Sequence, residues 1–105
     1  MHDPSRHHLI RIEEISLGSL SETVAHAREI FRPAFIHSAY AMILVHNHPS
    51  GDPSPSDNDK RMTRRLIEAA ALLQINLLDH IIIGAPCEGR RPYFSFREIG
   101  WMGSA

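Results

Sequence analysis

The sequence predicts an α/β layered domain, and three observations carry that reading. Short apolar runs of strand length alternate along the chain with longer segments of helical periodicity, the order expected of helices packed on a sheet. The 105 residues suffice for one modest core and are too few for two domains enclosing a cleft, so any active site lies on one surface. With 43% hydrophobic and 22% charged residues, the composition is that of an ordinary globular chain.

Residues 9–17, LIRIEEISL, place Ile10 and Ile12 on one parity and, after Glu13 and Glu14, Ile15 and Leu17 on the other. This predicts a strand with a bulge, closed by Gly18. HAREIFRPAFIHSAY carries Ile30, Phe31, Ala34 and Phe35 at helical spacing, which predicts a helix from about Ala27 to His37 that Pro33 bends. AMILVHN, residues 41–47, is apolar on both parities, as a central buried strand would be. A second helix is expected from about Asp57 to Gln74, burying Met62, Leu66, Ala69, Ala70 and Leu73 and leaving Lys60, Arg61, Arg64 and Arg65 wet. Ser56 and Asp59 give its start the spacing of a capping box. INLLDHIIIG then reads as a second buried strand, and RPYFSFRE as a third in which Tyr93, Ser95 and Arg97 alternate with Phe94 and Phe96.

Composition excludes several functions. A formal charge of -1 argues against a general polyanion-binding surface, so contact with DNA would rest on a local patch such as the four basic residues of the second helix. Cys87 is the single cysteine, which rules out an internal disulfide and a cysteine-based zinc knuckle. The N-terminus MHDPSRHHLI lacks an apolar signal segment and no run is long enough to span a membrane, so a cytoplasmic, reducing location is expected.

The chemistry concentrates in HNHPSGDPSPSDND, residues 46–59. Residues two apart on a strand share a face, so His46 and His48 project their imidazoles side by side. Asp59, in the first turn of the next helix, can return over the strand end as a third ligand. A zinc ion takes four ligands; water would be the fourth, and in such sites it ionises near neutral pH and becomes a nucleophile. Pro49, Pro53 and Pro55 stiffen the loop, and Gly51 permits its turn. Ser56 has two readings: it caps the helix, or it also donates its hydroxyl to a developing oxyanion. His2, His7, His8 and His37 are given no site role. Asp79 and His80 face opposite sides of their strand and form no dyad; a hydrogen-bonding role is expected for His80 and none for Cys87.

The spacing H-x-H, seven residues, S, two residues, D resembles the motif of the JAB/MPN metalloenzymes. The segments EEISLGSL, AREIF, ILVHNHPSGDPSPS, TRRLIEAA and LLDHIIIG resemble the RadC family in order, from about residue 7 to residue 99. The resemblance implies a JAB/MPN-type fold, a mixed sheet flanked by helices and similar in outline to cytidine deaminase. It implies zinc held by His46, His48 and Asp59, with Ser56 stabilising the oxyanion. Departures from the family pattern at Ser19, Ala27, Ala70 and Gln74 bear on turns and packing. The resemblance also implies a general-base glutamate ahead of the first strand of a hairpin, and the chain is expected to begin inside that hairpin, its first strand and preceding helix missing. Glu13, Glu14 and Glu29 are the substitutes within the chain, none of them convincing.

The expected function is a zinc-dependent hydrolase of peptidase or isopeptidase type. The alternatives are a metal-dependent nuclease or DNA-repair factor, and a non-catalytic metal-binding MPN interaction module. A further reading makes His46, His48 and Asp59 a polar cluster satisfying its own hydrogen bonds. An unpaired strand at residues 9–17 is expected to recruit a second copy, giving a homodimer.

Overall fold

The computed structural model describes Ile12 and residues 23–103. The strand expected at residues 9–17, the homodimer expected through it, and Glu13 and Glu14 therefore lie outside the described residues, apart from the exposed Ile12. The elements run α1 (Thr23–Ile36), β1 (Ala41–Asn47), α2 (Asp57–Leu73), β2 (Asn76–Ile83) and β3 (Tyr93–Ser95). The sheet has the order β1-β2-β3, with β1 and β2 parallel and β2 and β3 antiparallel. This is the mixed α/β arrangement expected of a JAB/MPN domain.

The two helices share one face of the sheet. Ile30, Phe31 and Ala34 of α1 meet Met62, Leu66 and Ala70 of α2, and Met42, Leu44 and Leu77 of the strands pack against them. α1 starts a turn earlier than the apolar stripe indicated, because a first helical turn needs no buried side chain once the following turns are anchored. It ends on Ser38 in the left-handed region, with the Ala39 N–H returning to the Ala34 carbonyl. α2 ends the same way at Gln74, after which the buried Ile75 joins the core. Leu73, expected in the buried stripe, is 41% exposed, and Thr63 is fully buried instead. The inward face of α2 is thus rotated toward Thr63.

Two strand expectations are corrected. β1 is not central among the described strands: it lies at the edge, its helix-facing residues half-buried while Ile43 and Val45 remain more than half exposed on the other face. Both described helices lie on one side, so apolar residues of both parities do not here mean burial of both. The third strand is shorter than RPYFSFRE suggested. Beyond Ser95 the Arg97 N–H goes to the Asp79 carboxylate, 2.9 Å away, which also accepts from the Ser95 hydroxyl at 2.6 Å. That buried carboxylate draws the chain off the ladder.

A register shift between Met42 and Ile43 pairs Met42 with Leu77 and Ile43 with Asp79, skipping Leu78. In a regular strand residues 77 and 80 point to opposite faces. The bulge lets Leu77 enter the helix-side core while His80, three residues on, points to the same side.

The strand ends are locked to the histidine loop. A Cβ on Gly84 would lie 2.2 Å from the Gly51 carbonyl oxygen and 2.7 Å from Pro53 Cδ. Gly84→Ala should accordingly displace the loop or strain it, with a loss of about 1–3 kcal/mol in urea unfolding.

Candidate metal centre

His46 and His48 stand at the carboxyl end of β1, and Asp59 stands in the first turn of α2. The chain between them is organised by its own polar groups. The Gly51 N–H bonds the His48 carbonyl at 2.9 Å, closing a four-residue turn with Pro49 second and Gly51 fourth, and Gly51 has a φ of 87° that favours glycine. The Gly51 carbonyl is held by the Ala85 N–H at 2.7 Å and by Arg90 at 3.0 Å. Asp52 accepts from the Ser54 N–H in a local turn. At the helix start both arms of the capping box form: the Asp59 N–H donates to Ser56 Oγ at 3.1 Å, and the Ser56 N–H donates to Asp59 Oδ2 at 2.8 Å.

These anchors bring the sequence-predicted ligands together. One nitrogen of each histidine and a carboxylate oxygen of Asp59 lie within 4.8 Å of one another, a grouping that could hold a metal ion. His48 Nε2 is 2.8 Å from Asp59 Oδ2, and His46 Nε2 is 3.5 Å from Asp59 Oδ1. Two ligands about 2.0–2.2 Å from one tetrahedral ion would be roughly 3.4 Å apart, so modest adjustment seats an ion.

Proton placement tests the fit. His48 Nδ1 is 2.8 Å from the Asp52 carbonyl, which can only accept, so that nitrogen carries the hydrogen. In a neutral ring the bare Nε2 then faces a carboxylate oxygen, lone pair against lone pair. A proton on His48 relieves that contact but leaves His46 Nε2 and Asp59 Oδ1, both buried, with no partner. One divalent cation satisfies all these atoms. The donor set, two imidazoles and a carboxylate, suits zinc chemically.

Burial pushes the His46 imidazole below its ordinary pKa, with Asp59 opposing and the neighbouring His48 assisting. For Asp59, 1% exposed, burial acts to raise the carboxyl, but the Ser56 amide and hydroxyl bonds and the two histidines outweigh it and hold it low. The site thus favours an ionised carboxylate and a neutral His46, the protonation states a metal requires.

Two contributors were not singled out for the site from sequence. His80 is fully buried, stacked on Phe96, with Nε2 2.8 Å from His46 Nδ1 and Nδ1 2.7 Å from Thr63 Oγ1. Its hydrogen-bonding role was legible; its target was not, since the bulge at Leu78 sets the direction. Thr63 looked like one more polar residue of a helix. Of the other readings, Glu29 is exposed on α1, Cys87 is an exposed free thiol, and Asp79 serves the β3 turn. Beside the loop, Pro53 and Ser54 form one wall of an open cleft of about 350 Å³, faced by Arg90, Arg91, Tyr93 and Phe94. No helix among the described residues is long and apolar enough to cross a membrane.

Comparison with known proteins identifies the relatives of this chain. The model of the family described as the RadC-like JAB domain matches residues 3–101. A UPF0758 protein of Alkaliphilus metalliredigens is 52% identical over 98 residues, covering 93% of this chain and 40% of its own length. Another from Caldanaerobacter subterraneus subsp. tengcongensis is 53% identical over 93 residues, 89% of this chain and 38% of its own. One from Methanosarcina acetivorans is 44% identical over 98 residues, 93% of this chain and 41% of its own. The chain spans about two-fifths of the length of these curated relatives.

Burial, reinforced by His46, lowers the His80 pKa from 6.5 to about 4. Between those values the unfolded chain binds a proton that the folded chain refuses, so stability is intact above the unfolded value and falls as pH drops toward the folded one. Metal-free protein should lose on the order of 3 kcal/mol between about pH 7 and about pH 4, read by urea unfolding. A flat profile would mean that His80 titrates freely.

Proposed function

Because the chain belongs to the RadC-like JAB domain family, we propose that it binds one zinc ion through His46, His48 and Asp59 and is a metal-dependent hydrolase of peptide or isopeptide bonds. The observation that carries this reading is the pair of buried atoms without partners, His46 Nε2 and Asp59 Oδ1, beside a third ligand nitrogen whose tautomer the Asp52 carbonyl fixes. When bound, the ion supplies Lewis acidity and makes water acidic enough to attack a carbonyl near neutral pH.

The chain's own residues do the rest. His48 is oriented by Asp52, and Asp59 by the two arms of the capping box. The Ser56 hydroxyl accepts from the Asp59 N–H through a lone pair, and its single hydrogen, which supports the Asp59 carboxylate, would turn to the oxygen of a substrate carbonyl as charge develops there. Capping and oxyanion binding are therefore compatible in one side chain. Among the described residues no second carboxylate joins the group, and Glu29, one of the three carboxylates weighed as general base, is exposed on α1. Phosphodiester hydrolysis is the second reading, carried by the exposed Arg65 on α2; Arg61 donates to Asn58 Oδ1, and Arg64 lies 4.7 Å over the Trp101 ring.

Protein purified without chelator should carry close to one equivalent of zinc, and His48→Ala should lose it; less than half an equivalent in the parent chain would favour the self-satisfied polar cluster. Zinc-loaded protein is to be incubated separately with peptide, isopeptide and plasmid substrates. Plasmid nicking abolished in His48→Ala would move the assignment to a nuclease, and zinc binding without turnover on any substrate would favour the interaction module. Ser56→Ala should cost about 1 kcal/mol of stability through the lost cap. In an active enzyme it should also lower kcat about a hundredfold to a thousandfold with zinc still bound.

A further inference from the structure

His80 and Thr63 are both fully buried, yet they join both elements that carry the candidate ligands. The Thr63 hydroxyl is 2.7 Å from the Asp59 carbonyl oxygen and 2.7 Å from His80 Nδ1. A carbonyl only accepts, and a hydroxyl has one hydrogen to give. The arrangement that satisfies both contacts gives that hydrogen to Asp59 and makes His80 Nδ1 the donor to Thr63. In the neutral His80 ring Nε2 is then bare and accepts from His46 Nδ1, 2.8 Å away. His46 must therefore carry its hydrogen on Nδ1, which leaves Nε2 as a free lone pair beside Asp59 Oδ1. The ring stack with Phe96, centroids 5.2 Å apart and planes 19° from parallel, fixes the orientation of His80.

We propose that His80 and Thr63 are positioning residues of the metal centre, a one-directional hydrogen-bond relay from His46 through His80 and Thr63 to the Asp59 backbone that holds His46 in its ligating tautomer and ties β2 to the start of α2. The use of the relay rests on the zinc reading above; the relay itself is a property of the metal-free protein. It adds a second tie between His46 and Asp59, on the opposite edge of the imidazole from the ligating nitrogen.

Two measurements on the whole chain test it. Ring nitrogen shifts of the metal-free protein, from long-range proton–nitrogen correlation spectra above neutral pH, report which nitrogen of His46 carries hydrogen. Zinc affinity comes from competition with a chromophoric chelator. The parent should show His46 protonated on Nδ1. His80→Phe, which keeps an aromatic ring against Phe96, should shift His46 toward the other tautomer and weaken zinc binding about 10- to 100-fold. Thr63→Val, near in shape, should act in the same direction. His80→Gln, whose amide can accept from His46 and donate to Thr63, should restore most of the affinity, and Thr63→Val added to His80→Phe should cost little more.

An unchanged His46 tautomer in both His80→Phe and Thr63→Val overturns the relay even if zinc binding falls. So does a His80→Gln protein that melts like the parent yet binds zinc as poorly as His80→Phe, because that pattern belongs to a purely structural histidine. Should the parent bind no zinc while the tautomer change occurs as expected, the metal reading fails and the relay stands.

Discussion

The Thr63 hydroxyl has one hydrogen, and the Asp59 carbonyl oxygen beside it can only accept. From that constraint the proton positions of three consecutive groups follow, ending with a bare nitrogen on His46 that faces the Asp59 carboxylate. The Asp52 carbonyl imposes the same restriction on His48 from the other side of the site. With both rings neutral, two imidazoles turn lone pairs toward an ionised carboxylate that is almost wholly buried. Such an assembly is repulsive by itself, and an unsatisfied buried acceptor costs about 1–3 kcal/mol. A cation at the centre would convert the repulsion into attraction.

Holding the three ligands in this confrontation requires support from elsewhere in the fold. Asp59 is oriented through Ser56 by the capping box, so the start of α2 and the placement of a ligand are one structural event. The turn at Pro49 to Gly51 is clamped by the Ala85 and Arg90 donors on the Gly51 carbonyl, and the absence of a side chain at Gly84 lets β2 approach that loop. The bulge at Leu78 then lets one strand contribute Leu77 to the core and His80 to the site. Stability and site geometry share the same few contacts. A substitution in this region therefore reports on metal binding only when folding is measured beside it.

The chain belongs to the RadC-like JAB domain family, and its relatives include UPF0758 proteins of Alkaliphilus metalliredigens and Methanosarcina acetivorans. The chain spans about two-fifths of the length of those relatives. A cleft beside the histidine loop is lined by Pro53, Ser54, Arg90, Arg91, Tyr93 and Phe94. Both of its arginines are engaged, Arg91 with Glu98 at 2.8 Å and Arg90 with the Gly51 carbonyl at 3.0 Å.

The grouping of the three candidate ligands was legible in the sequence because its determinants are local. The two-residue period of a strand places His46 beside His48, and a capping pair at fixed spacing brings Asp59 to a helix start whatever lies around it. The alternation of elements and most of the α2 stripe were legible for the same reason. What the sequence left open depends on contacts between distant segments. Whether β1 is covered on both faces depends on which side the helices take, Leu73 loses its place to Thr63 through a small rotation of α2, and β3 is cut short by Asp79 from the neighbouring strand. The direction of His80 depends on a single skipped residue in the β1–β2 register. Parity along one strand carries no information about a register shift, because the shift is set by how Leu77 and His80 both find room beneath the helices.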